Sequence, residues 1–78
     1  MNSKPSIFST SDIILAACLR IHGFEMTSIE KQGNKGTFVF VSVADDFILN
    51  YDLGKILVEP IAFNQMIKTL TTAVRRMP

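Results

Sequence analysis

The sequence predicts an α+β domain, in which two longer helices pack on one face of a small antiparallel β-hairpin sheet, in the order α-β-β-α-α. Three patterns predict it: an apolar segment of helical length ending at Gly23, a run of aromatic and β-branched residues after a glycine-containing turn, and an amphipathic C-terminal segment. A chain of 78 residues has the size of one domain. We expect residues 1–8 to form a flexible arm and residues 9–78 to form the domain.

The first predicted helix is apolar on two sides. Hydroxyl residues 9–11 compete as its N-cap, and Ser9 with Asp12 has the spacing of a capping box. Leu15 and Leu19 form an i, i+4 pair on the side opposite a larger apolar face. That face consists of Ile13, Ile14, Ala17, Cys18 and Ile21. Since a surface helix of a small monomer buries one stripe, Leu15 and Leu19 predict contact with a second subunit.

Two strands are predicted next. Residues 24–31 alternate until Ile29 breaks the pattern, residues 32–36 form a turn, and residues 37–41 form the clearest strand. Both faces of this second strand are apolar, so it is expected to be covered on both sides, or on one side by a second subunit. Val39 and Val41 are therefore further candidates for an oligomer interface.

The C-terminal half predicts two more helices. Residues 44–53 have a helical pattern that Gly54 ends, although a strand over residues 47–51 stays open. Pro60 suits the first position of the last helix, with Glu59 as a poor N-cap. One face of that helix is apolar and consists of Phe63, Met66, Ile67, Leu70, Ala73 and Val74.

Composition bounds the classes of function. The net charge is +1, from 8 basic and 7 acidic residues, which gives no basic stripe for nucleic acid. One cysteine excludes a disulfide within the monomer, and one histidine with it cannot form the usual structural metal site. Because small domains need extra stabilisation, self-association is expected. The single cysteine and the lack of a long apolar segment predict a cytoplasmic protein without a membrane span.

Several groups of residues have the composition or spacing of a chemical site, but an ordinary structural role explains each of them. Asp45 and Asp46 suit a helix first turn, and adjacent helical residues diverge by about 100°. Cys18 and His22 stand four residues apart on a helix, but a cysteine in an apolar stripe is expected to be buried and inert. Residues 33–36 precede a strand, so they predict a hairpin turn rather than a phosphate-binding loop.

The last helix carries the candidate contacts to nucleic acid. Its polar face groups three basic residues, Lys68, Arg75 and Arg76. Because acidic residues balance the charge elsewhere, we expect contact to be weak and binding of random duplex DNA to be negligible at physiological salt.

A set of anchors along the chain resembles a family of short bacterial and phage-associated proteins described as a domain of unknown function. The anchors are Ser11-Asp12, Gly23-Phe24, the 37–40 strand, Tyr51, Gly54, Val58, Pro60 and Phe63. The resemblance extends from Thr10 to about Leu70. The chain departs from the family in having Glu59 before the proline, where Asp is usual, and apolar residues 47–49 in the short helix. The resemblance implies the order of elements and assigns no activity or site residue.

We therefore expect a small homo-oligomeric interaction or accessory module without catalytic activity or cofactor, of mobile-element origin as the resemblance implies. Its partners would be a second copy and an unidentified protein. Two alternatives stay open. One is a weak nucleic-acid-binding regulator that uses the C-terminal helix. The other is a small-molecule binder or enzyme with a pocket at a dimer interface, near Tyr51, His22 and Asp52.

Overall fold

The computed structural model describes residues 6–78. The strands are β1 (Ile7–Thr10), β2 (Met26–Gln32) and β3 (Lys35–Val41), and the helices are α1 (Ile13–Ile21), α2 (Asp45–Asp52) and α3 (Pro60–Arg76). The predicted α+β class is confirmed, with one antiparallel three-stranded sheet. The predicted order α-β-β-α-α is wrong at its beginning, because a strand precedes α1.

The additional strand, β1, lies at one edge of the sheet, whose order is β1-β3-β2. Ile7 pairs with Val41, and Phe8 pairs with Phe40. Phe8 also packs against the hydrophobic core. The expected flexible arm is therefore wrong for residues 7 and 8, which belong to the sheet, and the carbonyl of Ser6 accepts a hydrogen bond from the amide of Ser42 (2.8 Å). The rest of that expectation, on residues 1–5, lies outside the described residues.

Strands β2 and β3 form the predicted hairpin. Gly33 begins its two-residue turn with φ +62°, the backbone region that primed hairpin turns need at this position. A bulge lies between Met26 and Ser28 and shifts the alternation of β2 by one residue. Met26 and Ile29 therefore lie on the same face, opposite Phe40 and Phe38 respectively. The bulge explains why Ile29 breaks the alternation in the sequence.

Helix α1 begins one turn later than a Ser9 cap predicts. The Asp12 carboxylate is the N-cap, and its Oδ1 accepts hydrogen bonds from the amides of Ile14 (3.0 Å) and Leu15 (3.2 Å). The helix ends at Ile21, and Gly23 follows its C-cap with φ +90°, in the position predicted for the glycine that stops it.

The two apolar sides of α1 are both covered within one chain. Leu15 is 6 % exposed and Leu19 is 0 % exposed, and both belong to the core cluster with Phe38. Helix α1 packs against α3, and its buried residues also belong to the core cluster that contains Phe38 and Phe40 of the sheet. The expectation that Leu15 and Leu19 face a second subunit is therefore wrong. Ile14, assigned to the core side, is 51 % exposed instead.

The C-terminal half is helical, and the strand over residues 47–51 is wrong. The helix α2 ends before Gly54, which has φ +72°. Glu59 caps α3 despite its length, because its carboxylate accepts hydrogen bonds from the amides of Ile61 (2.6 Å) and Ala62 (3.1 Å). Pro60 then occupies the first helical turn, where its missing N–H has no cost.

The helices lie on one face of the sheet. All three contribute side chains to the cluster that contains Phe38 and Phe40. Val39 and Val41 alternate with these phenylalanines along β3 and therefore face the other way. None of the helices within residues 6–78 is long and apolar enough to cross a membrane.

Candidate functional site

The helical layer carries a group of large apolar side chains that are more than half exposed. This helical apolar surface consists of Ile14 (51 %), Leu49 (57 %), Leu53 (56 %), Leu57 (84 %) and Ile61 (67 %). They come from α1, α2, the connection after α2, and the first turn of α3. Single exposed apolar residues are ordinary, but several large ones on one layer are typical of a binding surface.

A hydrogen bond fixes one end of this surface. The Tyr51 hydroxyl donates to Asp12 Oδ2 at 2.9 Å, which joins the end of α2 to the start of α1. Burial, and then this hydrogen bond, raise the pKa of Tyr51 to about 12. Ile14 lies two residues after Asp12, and both Leu49 and Leu53 lie two residues from Tyr51. Leu49 and Leu53 are four residues apart and share one side of α2, and the contact holds the end of this helix against the start of α1, where Ile14 lies.

A second hydrogen bond fixes the other end of the layer. His22 Nε2 lies 2.9 Å from the carbonyl oxygen of Leu57. Since a carbonyl only accepts, Nε2 carries the proton and donates. The His22 ring also packs edge-on against Phe47, with centroids 5.1 Å apart, and Phe47 packs in the same way against Phe24. The hydrogen bond from His22 thus holds the backbone at Leu57, which is the most exposed member of the surface.

The opposite face of the molecule is the open face of the sheet. Ile7 is 72 % exposed there and lies directly across from Val41, while Val39 lies across from Ser9. Val39 and Val41 are half-buried by their neighbours on the sheet. Their role in an oligomer stays a prediction, because the structure describes a single chain.

The two residue pairs that resemble chemical sites lie in ordinary structural positions. Cys18 is 6 % exposed, as expected, and burial followed by the charge of Asp12 raises the pKa of its thiol. Its i, i+4 neighbour His22 is held by Leu57. Asp45 and Asp46 lie exposed in the first turn of α2. Across residues 6–78, no three metal-ligating side chains come together.

The alternative pocket near Tyr51, His22 and Asp52 is expected at a dimer interface, and within residues 6–78 a single chain does not bring Tyr51 and His22 together. Tyr51 bonds to Asp12 at the start of α1, whereas His22 follows its last residue. A helical segment of ten residues spans about 15 Å. Tyr51 and His22 therefore lie at opposite ends of α1.

The three basic candidates on α3 are divided between two grooves. Lys68 and Arg76 line a shallow groove along the outer side of the helix. Arg75 lines a different groove, together with Lys35 from the hairpin. This second groove, of about 320 Å³, brings together the segment before α1, the hairpin turn and the last turns of α3. Sequence reasoning missed it because its walls are far apart along the chain.

Comparisons of this chain with protein-family models, with curated proteins and with solved structures gave no match. The family resemblance stays a prediction.

Proposed function

We propose that this protein is a non-catalytic interaction module in which two copies join through the helical apolar surface. The observation that carries the proposal is the exposure of this surface, where side chains as large as Leu57 (84 %) and Ile61 (67 %) meet solvent. The hydrogen bonds of Tyr51 and His22 support it, because they hold the exposed residues in place before binding. A surface ordered in advance loses less conformational entropy on association.

A second copy of the chain is the occupant that the charge balance favours. A net charge of +1 gives copies little mutual repulsion, and proteins near zero net charge associate readily. A two-fold interface also pairs a surface with itself, so one apolar surface suffices for both partners.

The size of the core favours association as well. The buried apolar residues of the described chain are eight, and three of them are the small residues Ala16, Ala17 and Cys18. A single core at this length gives about 3–5 kcal/mol. Burying the exposed leucines and isoleucines against a partner adds to that small core.

Light scattering coupled to gel filtration at micromolar concentration tests the proposal. We expect the wild type to have the mass of a dimer and Leu57→Glu to have the mass of a monomer, because the substitution places a charge in the interface. Gln32→Glu is the matched control, since it adds the same charge at an exposed position at the end of β2, outside the helical apolar surface. It should leave the dimer intact.

A variant of the sheet identifies which surface is used. Ile7→Glu adds a carboxylate to the open face of the sheet and should not change the mass. A wild-type monomer would disprove self-association. Dissociation by Ile7→Glu, with Leu57→Glu still dimeric, would move the interface to the sheet and contradict the placement proposed here. Far-ultraviolet circular dichroism confirms that each variant is folded.

A further inference from the structure

The groove between the hairpin and the end of α3 depends on one close contact. A Cβ built on Gly36 would lie 2.6 Å from Cγ2 of Val74, so the absence of a side chain lets the helix approach the strand. Lys35 precedes Gly36, and Arg75 follows Val74. The contact between Gly36 and Val74 therefore brings two cations, from segments far apart in sequence, to the rims of one groove.

The charges of this groove are unbalanced. Its walls include the exposed side chains of Lys35 and Arg75, and within residues 6–78 no carboxylate is among the lining residues. Two like charges held at one site repel each other, and an anion between them relieves the repulsion. Arginine and lysine together suit an oxyanion, since Arg offers a planar pair of donors and Lys a mobile one.

The rest of the lining is neutral and mixed. Ser11, Asn34 and Thr71 offer uncharged hydrogen-bonding groups, and Ile13 and Phe38 offer apolar contact. An apolar wall with a few convergent polar groups is the usual composition of a ligand site. A volume of about 320 Å³ lies at the small end of the range for such sites.

We propose that this groove binds a small organic oxyanion, namely a carboxylate or phosphate monoester that carries a short apolar group. The oxyanion lies between Lys35 and Arg75, and the apolar group contacts Ile13 and Phe38. The groove shares no residue with the helical apolar surface. Binding of the anion and self-association are therefore separate properties of the molecule.

Titrations followed by amide chemical shifts in two-dimensional NMR test the proposal. The probes are phenyl phosphate and benzoate, with benzyl alcohol as the neutral compound of similar size and inorganic phosphate as the anion without an apolar group. We expect phenyl phosphate, benzoate or both to shift the amides of Asn34, Gly36 and Thr71, with dissociation constants in the millimolar range or tighter. The two aromatic anions distinguish the phosphate from the carboxylate, and the tighter of the two should bind more tightly than benzyl alcohol and inorganic phosphate.

Charge-neutralising variants locate the site. Lys35→Gln and Arg75→Gln should each weaken binding of the tighter aromatic anion about fivefold, as loss of one partly exposed charge contact does. Lys68→Gln is the matched control, because it removes the same charge from a residue that lines the other groove, about two helical turns before Arg75. It should leave the affinity unchanged. The dispersion of the same NMR spectra confirms that each variant is folded.

Three results would overturn the proposal: no shift by either aromatic anion at millimolar concentration, equal shifts by benzyl alcohol, or equal weakening by Lys68→Gln. The last would show attraction by overall charge without a defined site. None of these results bears on the mass of the protein in solution, so failure here is distinguishable from failure of the proposed self-association.

Discussion

Asp12 is the residue on which two elements depend. One oxygen of its carboxylate caps α1 and the other accepts the hydroxyl of Tyr51. The sequence predicts the acidic residue at the start of this helix, since Asp is a strong N-cap and complements the helix dipole. It does not predict the contact with Tyr51, because the two residues are 39 positions apart. Local chemistry was predictable here, whereas the tertiary partner required the fold.

The Tyr51 contact predicts an alkaline loss of stability. The pKa of Tyr51 is raised from 10.0 to about 12, so its contribution is complete below pH 10 and is lost as the pH rises towards 12. Tyr51→Phe should lower the free energy of unfolding by about 0.5–1.5 kcal/mol below pH 10. The difference from wild type should shrink above pH 10, because the tyrosine ionises there in the unfolded chain while the folded protein keeps it protonated up to about pH 12. Urea unfolding of both proteins across this pH range measures it, and a difference independent of pH would contradict the assignment.

Cys18 predicts slow labelling in the native protein. The thiol is buried, and its raised pKa keeps it protonated at neutral pH. A disulfide reagent should react slowly with the folded protein and rapidly in denaturant, as followed by absorbance. Cys18→Ser gives the blank for both conditions. Rapid labelling of the folded protein would restore the nucleophile hypothesis with His22.

At the scale of the element, α1 shows what periodicity can predict. The pattern correctly indicates that this helix needs apolar partners on two sides. It does not indicate whether those partners come from the same chain, because that depends on how the later helices pack. Leu15 and Leu19 are buried by the chain itself. The interface proposed from the structure therefore consists of other residues, among them the exposed Ile14 and exposed residues of α2 and α3.

Strand β1 shows the opposite limit. Its four residues, Ile7–Thr10, have a short alternation and hydroxyl residues that also suit a helix start. The strand exists because it pairs with β3, at Ile7 with Val41 and Thr10 with Phe38. Pairing between segments so far apart is not encoded in either segment alone. The sequence does not predict the groove between the hairpin and the end of α3 for the same reason.

The packing of β3 on α3 predicts a coupled pair of substitutions. Gly36→Ala should lower the free energy of unfolding by about 1–3 kcal/mol, since the added methyl group meets Val74. In the background of Val74→Ala, the same substitution should cost less, because the space is then open. A double-mutant cycle by urea unfolding measures this coupling.

Gly33 provides the matched glycine for this cycle. It has φ +62° and open space where a Cβ would stand, so Gly33→Ala costs about 1 kcal/mol through the backbone alone. Val74→Ala should not change that cost. If Gly36→Ala costs the same with and without Val74, the close contact has no energetic role.

At the scale of the whole molecule, the two-layer architecture separates the surfaces. The helical apolar surface lies on the helices, Ile7 and its neighbours lie on the open sheet, and the cationic groove lies between the hairpin and the end of α3. The sequence predicts that apolar surface exceeds the needs of one core. Only the fold shows how that excess is distributed.

The order in which the sheet is completed follows from the position of β1. The hairpin of β2 and β3 closes through neighbouring residues, whereas Ile7 must wait for Val41. At a synthesis rate of about 5–20 residues per second, the ribosome makes the intervening segment in roughly 2–7 s. During that interval, β1 has no strand beside it, because its partner β3 has not yet been made. The free edge of β3 in another nascent chain offers β1 the same pairing, so crowded synthesis favours strand exchange between copies.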